Sequence, residues 1–310
     1  MISINANIPL SIIIVNWNTI DLLEKCLDSI FFTQKNLSFK VIVVDNASTD
    51  GSVEMIKKKF PAVFLIENKK NVGFAKANNQ ALKFIENRKY VLLLNSDTVL
   101  LNKTLQKMME FMDRNPKAGI AAPALRLPDG KFQIVGASKP SLISAFNYFL
   151  FLYVLSPKLF KGLFIDQQRL QKIGNPIKID WVAGTCMLVR KEVIDKAGGL
   201  DESYFMYAED MEWCERIKKI GWDIYYLPYI EIIHHHGASS KTVSDQWIKS
   251  LILYMKRKNG MIKSILFRLI AAAGFGLRFF FYFLRFTFTL NKDWMKKAHQ
   301  MFIFFKGALR

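Results

Sequence analysis

Acidic and histidine side chains stand at four places where the sequence could support chemistry. Asp45 closes the apolar run VIVV, Asp97 follows the run VLLLNS, and Glu209 and Asp210 follow the loop GGLDESYFMYA. His234 opens a run of three histidines after an apolar segment. Such carboxylates can accept hydrogen bonds from a base or a ribose, ligate a hard divalent cation, or take a proton from a hydroxyl. Imidazole is a common metal ligand, so Asp97 and the histidines together could form a mixed metal site.

Each of these positions also has a purely structural interpretation. Asp45 could form a turn that caps the next helix, although Asp50 and Ser52 fit that role better. Ser96 or Asp97 could be a helix N-cap. The two acids at 209 and 210 could stabilise the dipole of the helix they open, and a histidine is more often structural than a ligand. The residues alone leave both interpretations open.

Alternating strands and helices must position these residues. Short apolar runs predict buried parallel strands at residues 11–15, 41–44, 63–66 and 90–94. Apolar residues at helical spacing predict one helix after an N-cap at Asp21, one after Gly51, and one over residues 74–86. This order predicts an α/β fold with a doubly wound parallel sheet. Ligands of such sheets bind beyond the carboxyl ends of the strands, which favours residues 16–18, 45–50, 67–73 and 95–97 as the site.

The chain after residue 100 is less regular. Pro128-Asp129-Gly130 predicts a turn between two strands, residues 141–164 resemble an amphipathic insertion, and residues 181–190 predict a strand. Residues 209–220 predict a helix that buries Trp213, Ile217 and Ile220 and stops at Gly221. Strand alternation after residues 229–233 would place His234 and His236 on one face and His235 on the other.

The composition indicates a folded and strongly basic protein. Of its 310 residues, 51% are hydrophobic and 23% are charged, and the net charge is +18. From Lys241 onward, fourteen Lys and Arg against two acids carry +12 of that charge. This asymmetry predicts an anionic partner, which could be phospholipid, a polyprenyl phosphate or nucleic acid. Because the basic residues are interleaved with long apolar runs, lipid is favoured and no nucleic-acid partner is predicted.

The tail is predicted to form an amphipathic helical segment, residues 261–310, after a main domain of residues 1–260. Residues 265–290 are apolar but are interrupted by Arg268, Arg278 and Arg285. The longest uncharged stretch, residues 269–277, is shorter than the ~20 residues that a spanning helix needs. A helix lying in the membrane interface fits this pattern better than a hairpin packed on the domain or a span.

The cysteines and the N-terminus indicate the compartment. The three cysteines have no paired spacing, which favours a reducing environment. Residues 1–10 lack the basic and apolar regions of a signal peptide. We therefore expect a peripheral protein at the cytoplasmic face of the membrane. The sequence gives no indication of an oligomeric state.

Seven segments resemble, in this order, the family 2 glycosyltransferases, particularly the rhamnosyltransferase-like members. Each motif alone is weak, but the ordered set is specific and covers roughly residues 8–260. The segments are SIIIVNWN (11–18), VIVVDNASTDGS (41–52), NVGFAKANNQAL (71–82), LLLNSDT (92–98), WVAGTCMLVRKE (181–192), GLDESYFMYAEDMEWCERIKKIGW (199–222) and IIHHHGASS (232–240).

The resemblance implies a GT-A fold, with a Rossmann-like, mostly parallel central sheet flanked by helices and followed here by the basic and apolar tail. It implies inverting, metal-dependent sugar transfer from a dTDP- or UDP-sugar, with dTDP-rhamnose as one candidate, onto a lipid-linked or polysaccharide acceptor in cell-surface glycan synthesis. The alternative is a non-catalytic nucleotide-sugar-binding or membrane scaffold protein on the same fold. Such a protein would be expected to have lost the acids that this sequence keeps.

The resemblance also implies roles for individual residues. Asp45 is expected to contact the base, Asp97 to bind Mg²⁺ or Mn²⁺, and Asp210, beside Glu209, to be the general base. His234 is expected to be the second metal ligand, with His236 as the alternative. Asn95 stands where the family's DXD-like motif often has its first acid, which leaves one carboxylate for the metal. The expected donor-binding residues also include Asn16, Asn18, Asn46, Asn71, Gly73, Lys76, Asn95 and Ser96, and the acceptor-side residues are Trp181 and Gly184.

Overall fold

Two compact units make up the protein. The computed structural model describes residues 9–34, 37–85, 88–133, 136–156, 159–160, 162–164, 171, 173–235 and 244–310. Unit 1 comprises Met1–Ala137, Asp166–Phe205 and Glu209–Ser239, and unit 2 comprises Ser138–Ile165, Met206–Ala208 and Ser240–Arg310. Unit 2 thus includes residues upstream of the tail, and the functional division at residue 260 stays a prediction.

Strands and helices alternate through most of unit 1, and helices alone make up the described elements of unit 2. The strands are β1 (Leu10–Asn16), β2 (Phe39–Asp45), β3 (Phe64–Glu67), β4 (Tyr90–Asn95), β5 (Thr98–Leu100), β6 (Ala118–Arg126), β7 (Phe132–Gln133), β8 (Gly136–Ala137), β9 (Ile177–Lys178), β10 (Trp181–Val182), β11 (Cys186–Arg190) and β12 (Asp223–His234). The helices are α1 (Ile20–Thr33), α2 (Ser52–Lys59), α3 (Phe74–Leu82), α4 (Thr104–Arg114), α5 (Leu142–Phe149), α6 (Leu152–Leu155), α7 (Lys191–Ala197), α8 (Glu209–Lys219), α9 (Gln246–Asn259), α10 (Met261–Thr289) and α11 (Lys292–Leu309).

The central sheet of unit 1 has the order β3-β2-β1-β4-β11-β6-β12-β5, with β7 beside β6 and β9 beside β12. Strands β3, β2, β1 and β4 are parallel, as the βαβ pattern predicts. Strand β11 runs antiparallel between β4 and β6, and β6 and β12 are parallel to each other. The predicted α/β fold with a mostly parallel sheet is therefore confirmed. The part of the sheet from β11 onward contains both parallel and antiparallel pairs.

The parallel strands are apolar because both of their faces are covered. Successive residues along β1, β2 and β4 are buried, so these strands do not show the alternation of a half-exposed strand. The turn predicted at Pro128-Asp129-Gly130 joins β6 to β7, and Gly130 adopts φ +85° there. Glycine takes up such a left-handed conformation without the steric cost of a side chain.

Four sequence-based details are wrong. Thr19, and not Asp21, precedes α1, and the first N–H of that helix (Ile20) donates to Asp50 Oδ2 at 2.8 Å. Helix α3 ends at Leu82, short of residue 86. Residues 181–190 form two strands, because a turn at residues 183–185 interrupts the pairing. Helix α8 ends at Lys219, and Ile220 is 44% exposed, because Gly221 at φ +91° ends the helix.

Aromatic side chains form the core of unit 2. The Phe275 ring of α10 lies 5.1 Å from Phe149 of α5, 5.8 Å from Trp247 of α9 and 5.4 Å from Phe304 of α11, between ring centroids. A Cβ atom at Gly274 would lie 2.6 Å from Phe149, so the close approach of α10 to α5 requires glycine at that position. Helices α10 and α11 form a hairpin joined at Leu290 and Asn291.

Arg278 connects α10 to the end of α5. Its Nη1 donates to Phe149 O at 2.6 Å and to Gly274 O at 3.1 Å, and its Nη2 donates to Tyr148 O at 2.8 Å. The guanidinium also lies 3.9 Å from the centroid of the Phe151 ring. The buried cation is therefore stabilised by carbonyls at the C-terminal end of a helix, where positive charge is favourable, and by an aromatic face.

We expect Arg278→Met to lower the free energy of unfolding by about 3 kcal/mol, because each of three buried hydrogen bonds contributes roughly 1 kcal/mol. Urea denaturation followed by circular dichroism measures this change. Arg285→Met is the control, since Arg285 is exposed and lies over the Trp294 ring at 4.6 Å. The control should change stability by about 0.5 kcal/mol or less. Equal effects of the two substitutions would contradict a structural role of Arg278.

Candidate active site

The carboxyl ends of three parallel strands bring the predicted donor-binding residues to one edge of the sheet. Asn16 at the end of β1 is in register with Asp45 at the end of β2. Val15 is in register with Asn95 at the end of β4. In an open α/β sheet this edge is where ligands bind.

The first corner of the site is built around the buried Asp45 carboxylate. Asp45 Oδ2 accepts from Asn16 Nδ2 at 2.8 Å, and Oδ1 accepts from the Ser48 backbone N–H at 2.8 Å. Ser48 Oγ in turn accepts from the Asn18 backbone N–H at 2.9 Å, and Asn18 Oδ1 accepts from the Thr49 N–H at 2.7 Å. These bonds hold the loops after β1 and β2 together, and Asp45 does not cap α2.

A hydrogen-bonded chain joins this corner to the turn after β4. Thr19 Oγ1 donates to Asn16 Oδ1 at 2.6 Å and lies 2.9 Å from Ser96 Oγ. Asn16 is the residue that also contacts Asp45. All four side chains are buried, so the chain fixes Asp45 and the turn after β4 relative to each other.

The second corner pairs Asp97 with His234. Asp97 lies in the turn between β4 and β5, and a strand rather than a helix follows it, which excludes the N-cap interpretation. Strand β12 is antiparallel to β5 and pairs His234 with Thr98. The His235 N–H donates to Asp97 O at 2.8 Å. This register places His234 Nε2 at 3.0 Å from Asp97 Oδ1, with 3% and 4% of the two residues exposed.

Gln133 sets the orientation of the imidazole. Its Oε1 lies 2.5 Å from His234 Nδ1. When Gln133 accepts through this oxygen, Nδ1 carries the proton and Nε2 presents a lone pair toward Asp97. Two buried acceptor atoms 3.0 Å apart repel each other unless a proton or a cation lies between them. The geometry therefore fits a cation held by Asp97 and His234, and His236 lies outside the described residues.

The donor set suits a hard divalent cation that also binds substrate. In the described parts of the chain, no group of three or more His, Cys, Asp and Glu side chains could hold a metal. Two protein ligands leave further positions for water and phosphate oxygens, which is the usual arrangement for Mg²⁺ at phosphate-binding sites. Carboxylate and imidazole ligands are also compatible with Mn²⁺.

The third corner contains Asp210, at the start of α8. Asp210 Oδ2 accepts from the Gly184 N–H at 3.1 Å, and Oδ1 accepts from the Met211 N–H at 2.8 Å. Gly184 belongs to the turn that interrupts residues 181–190, and the next residue, Thr185, accepts from the Asn95 N–H at 2.9 Å. The turn after β10 therefore links Asp210 to the end of β4. The residues that follow this strand end, Ser96 and Asp97, belong to the other two corners.

Glu209 and Asp210 are two carboxyl groups in different surroundings. Burial raises the pKa of Asp210 to about 6, while the backbone N–H groups of Gly184 and Met211 oppose this shift. Glu209 is 4% exposed, and its Oε2 has no hydrogen-bond partner among the described residues. Burial first, and the Asp210 charge second, raise the pKa of Glu209 well above its usual value. Burial thus favours the uncharged form of Glu209, whereas the two N–H groups favour the charged form of Asp210.

Among the other predicted donor-binding residues, three lie in one loop network and one does not. Asn46 Oδ1 accepts from Asn68 Nδ2 at 2.9 Å, and Asn71 Oδ1 accepts from the Gly73 N–H at 2.9 Å. Gly73 has φ +87°, and a Cβ there would collide with Phe205 O, so glycine is required. Lys76, by contrast, is exposed, and its Nζ lies 4.0 Å from Glu202.

The two predicted acceptor-side residues differ in accessibility. Trp181 is buried in the short β8–β10 ladder, where it pairs with Ala137. A Cβ at Gly184 would lie 3.1 Å from the Phe74 ring, so that position must stay small. The acceptor-side assignment of both residues stays a prediction.

Sequence reasoning missed two of the residues that support the site, Thr19 and Gln133, whereas Ser48 lies within the favoured range 45–50. Thr19 and Ser48 connect the loops after β1 and β2 to the side chains of Asn16 and Asp45. The one sequence signal for them is that a hydroxyl residue stands three positions after Asn16 and three positions after Asp45. Gln133 lies in a two-residue strand far from His234 in sequence. Nothing in its local sequence indicates contact with an imidazole.

The fold is that of known sugar-transferring enzymes. A mannosyltransferase of Pyrobaculum calidifontis, solved with GDP-Man and Mn²⁺, superposes with a TM-score of 0.59 at 17% sequence identity, over 97% of this chain and 86% of that one. At this identity the likeness concerns the fold alone. The fold of this chain is therefore of the GT-A type.

Sequence comparison gives the family. Residues 11–198 match the family described as Glycosyl transferase family 2. The N-acetylglucosaminyl-diphospho-decaprenol L-rhamnosyltransferase of Mycobacterium tuberculosis is 30% identical over 232 residues, covering 70% of this chain and 73% of the relative. Rhamnosyltransferase WbbL of Escherichia coli is 25% identical over 257 residues, covering 80% of this chain and 92% of the relative. The chain belongs to glycosyltransferase family 2, as its motifs predict.

We expect Asp45→Asn to weaken binding of a pyrimidine nucleoside diphosphate at least tenfold. The amide has one acceptor oxygen where the carboxylate uses two, so an N–H of the new residue must face Asn16 Nδ2 or the Ser48 N–H. Calorimetric titration with UDP and dTDP measures the change. Asp21→Asn makes the same charge change at an exposed position of α1 and should leave the affinity unaltered. Equal affinity in both variants would contradict a donor-binding role for Asp45.

Proposed function

We propose that this glycosyltransferase moves a sugar from a dTDP- or UDP-sugar to a lipid-linked or polysaccharide acceptor, with inversion at the anomeric carbon and with a divalent metal. dTDP-rhamnose is the donor we favour. The names of two relatives, a rhamnosyltransferase acting on a decaprenol-linked diphosphate sugar and rhamnosyltransferase WbbL, support this choice. A cell-surface glycan is the product that such acceptors lead to.

One observation carries the proposal. The single turn at residues 95–97 is connected to all three corners of the site. Ser96 leads through Thr19 and Asn16 to Asp45, and the Asn95 N–H leads through the turn at residues 184–185 to Asp210. Asp97 itself contacts His234. Sugar transfer from a nucleotide requires a group that binds the base, a pair that binds the diphosphate through a cation, and a proton acceptor. Asp45, the pair of Asp97 and His234, and Asp210 would supply these around one turn.

In the proposed reaction, Asp210 acts as the general base. Its carboxylate takes the proton from the acceptor hydroxyl, and that oxygen forms a bond to the anomeric carbon. The bond from this carbon to the diphosphate oxygen breaks at the same time, and the nucleoside diphosphate leaves with the electron pair. Attack from the face opposite the leaving group inverts the anomeric configuration. The hydroxyl is a poor nucleophile until its proton is removed, which gives Asp210 its role.

Asp97 and His234 are the residues that would hold Mg²⁺ or Mn²⁺. When bound there, the cation would neutralise the charge that develops on the departing diphosphate. The Gln133 contact would keep Nε2 of His234 available as a ligand. Asp45 would hold the base, and the remaining asparagines of the loops after β1, β2 and β3 would orient the ribose and the phosphates.

A peripheral position at the cytoplasmic face of the membrane is part of this proposal. Two features support it: the basic tail, which carries +12 of the net charge from Lys241 onward, and the lipid-linked substrate in the name of the mycobacterial relative. A soluble sugar donor and a membrane-bound acceptor meet at that surface.

Asp210→Asn is expected to reduce transfer roughly a hundredfold or more, since general-base catalysis typically contributes that much. Glu209→Gln is the matched control, because the neighbouring carboxyl is buried and burial raises its pKa, which favours its uncharged form. It should retain transfer within a factor of about three. Release of UDP or dTDP from the sugar donor in the presence of acceptor measures both rates. Wild-type turnover by Asp210→Asn would remove Asp210 from the mechanism.

The same assay gives a pH profile. A base must be deprotonated to act, and burial raises the pKa of Asp210 to about 6. Transfer by the wild-type enzyme should therefore fall as the pH decreases through about 6. A rate that stays constant down to the usual carboxyl range would contradict the proposed role of the buried pair.

We expect nucleotide binding to depend on the metal through His234. In titrations with Mn²⁺, His234→Ala should weaken nucleotide binding at least tenfold, and EDTA should have a similar effect on the wild-type protein. His235→Ala is the control, because that residue contributes its backbone N–H to Asp97 O. It should bind nucleotide as the wild type does. Binding that is equally strong with EDTA would overturn metal dependence.

A further inference from the structure

One face of α10 is apolar and exposed along the whole length of the helix. Ile262, Leu269, Leu277, Phe280, Leu284 and Phe288 follow one another at helical spacing and are all exposed. We call these six residues the apolar stripe. At 1.5 Å per residue, the stripe is about 40 Å long. Exposed apolar surface of this extent marks an interaction site.

The other face of α10 is occupied by protein. Phe267, Ala271, Phe275 and Arg278 of that face are buried, and Phe275 contacts α5, α9 and α11 within unit 2. The stripe is therefore the free side of a helix that is otherwise packed. Beyond Arg278, none of residues 279–289 of α10 is buried, so this free side widens toward the C-terminal end of the helix.

Positive charge lies beside the stripe on α10 and precedes it at the end of α9. Lys263 and Arg285 flank it on α10, and Lys256, Arg257 and Lys258 end the preceding helix α9. The two other arginines of α10 point elsewhere: Arg268 donates to Ala308 O and Leu309 O of α11, and Arg278 binds the carbonyls of α5. An apolar strip with a cationic border is complementary to a bilayer that contains anionic lipids.

We propose that α10 lies in the plane of an anionic membrane, with the apolar stripe among the acyl chains and the bordering cations at the head groups. This inference deepens the proposed peripheral location and rests on it. By length and composition, α10 is the one described helix that could cross a bilayer. A span would require α5, α9 and α11, which pack on its other face, to enter the hydrocarbon with their charged residues. A second copy of this chain is disfavoured as the occupant, since two strongly basic surfaces repel each other.

Sedimentation with vesicles tests the stripe. The full-length protein is mixed with vesicles of phosphatidylcholine and phosphatidylglycerol in equal amounts, and with vesicles of phosphatidylcholine alone. We expect binding to the anionic vesicles that weakens with salt. Phe280→Glu and Leu269→Glu should each reduce this binding roughly tenfold or more, because each keeps an apolar side chain out of the acyl region and adds a repelled charge.

A matched substitution in unit 1 serves as the control. Phe32 in α1 is 69% exposed and Phe280 is 64% exposed, so Phe32→Glu makes the same change at the same kind of surface. Phe32→Glu should bind the anionic vesicles as the wild type does. If both stripe variants also bind like the wild type, the inference is overturned. If Phe280→Glu instead converts an oligomer to a monomer in sedimentation equilibrium and leaves vesicle binding unaltered, a second copy covers the stripe and the inference is also overturned.

Spin labels distinguish an in-plane helix from a span. Cys26, Cys186 and Cys214 are all buried, so a cysteine introduced on the stripe can be labelled selectively. Labels at Ile262→Cys, Leu277→Cys and Phe288→Cys should report the same shallow depth in the bilayer. A deep central label between two shallow ends would indicate a span and contradict the inference. These variants also replace the glutamate variants if the latter do not fold.

Nucleotide titration separates this inference from the proposed function. Phe280→Glu should bind UDP or dTDP with Mn²⁺ as tightly as the wild type. Normal nucleotide binding with unaltered vesicle binding would overturn the membrane inference alone. Absence of nucleotide binding by the wild type would overturn the proposed donor site and leave the vesicle result to stand by itself.

Discussion

A buried carboxylate and a buried imidazole face each other at 3.0 Å where β5 and β12 meet, and the rest of the site is arranged around this pair. Asp97 and His234 are separated by 137 positions in the sequence, so only the sheet brings them together. Its register pairs His234 with Thr98, and Gln133 fixes the ring from the other side. Because both atoms that face each other are acceptors in this tautomer, the pair is electrostatically incomplete without a positive charge. The pair lies at the edge of the sheet where the proposed cation and the donor phosphates would meet it.

The first hundred residues were the most predictable part of the fold. Their buried strands are continuous apolar runs, and the helices between them have helical spacing, so local pattern and tertiary structure agree. The antiparallel β11 and the break at residues 183–185 could not be predicted, because the break is made by a long-range contact. The Gly184 N–H turns toward Asp210, and the sequence from 181 to 190 remains strand-like throughout. Local sequence propensity does not predict the backbone conformation where a side chain of another element determines it.

The residues of the site also divide into those that the sequence predicts and those that only the structure identifies. Asp45, Asp97, Asp210 and His234 stand at strand or helix ends, where a sequence motif can be recognised, and the structure brings all four to connected positions. Their supports, Thr19, Ser48 and Gln133, are ordinary polar residues whose importance lies in the contacts they make. The family match ends at residue 198, before Asp210 and His234. The family match thus includes Asp45 and Asp97, whereas Asp210 and His234 lie in the part of the chain that follows it.

The long separation between Thr98 and His234 has a consequence for how the enzyme folds. Strand β2 pairs with β1 and β3, its neighbours in the sequence, and these contacts can form early at a small entropic cost. Strand β12 must return to β5 over the 137 positions that separate Asp97 from His234, which makes its pairing a slow, high-contact-order step. A chain that has not completed this step would have Asp45 and Asp97 in place before His234 reaches them. A cation bound in the proposed site of Asp97 and His234 would then favour the late pairing over its competitors, so that ion supply during synthesis would affect the yield of folded protein.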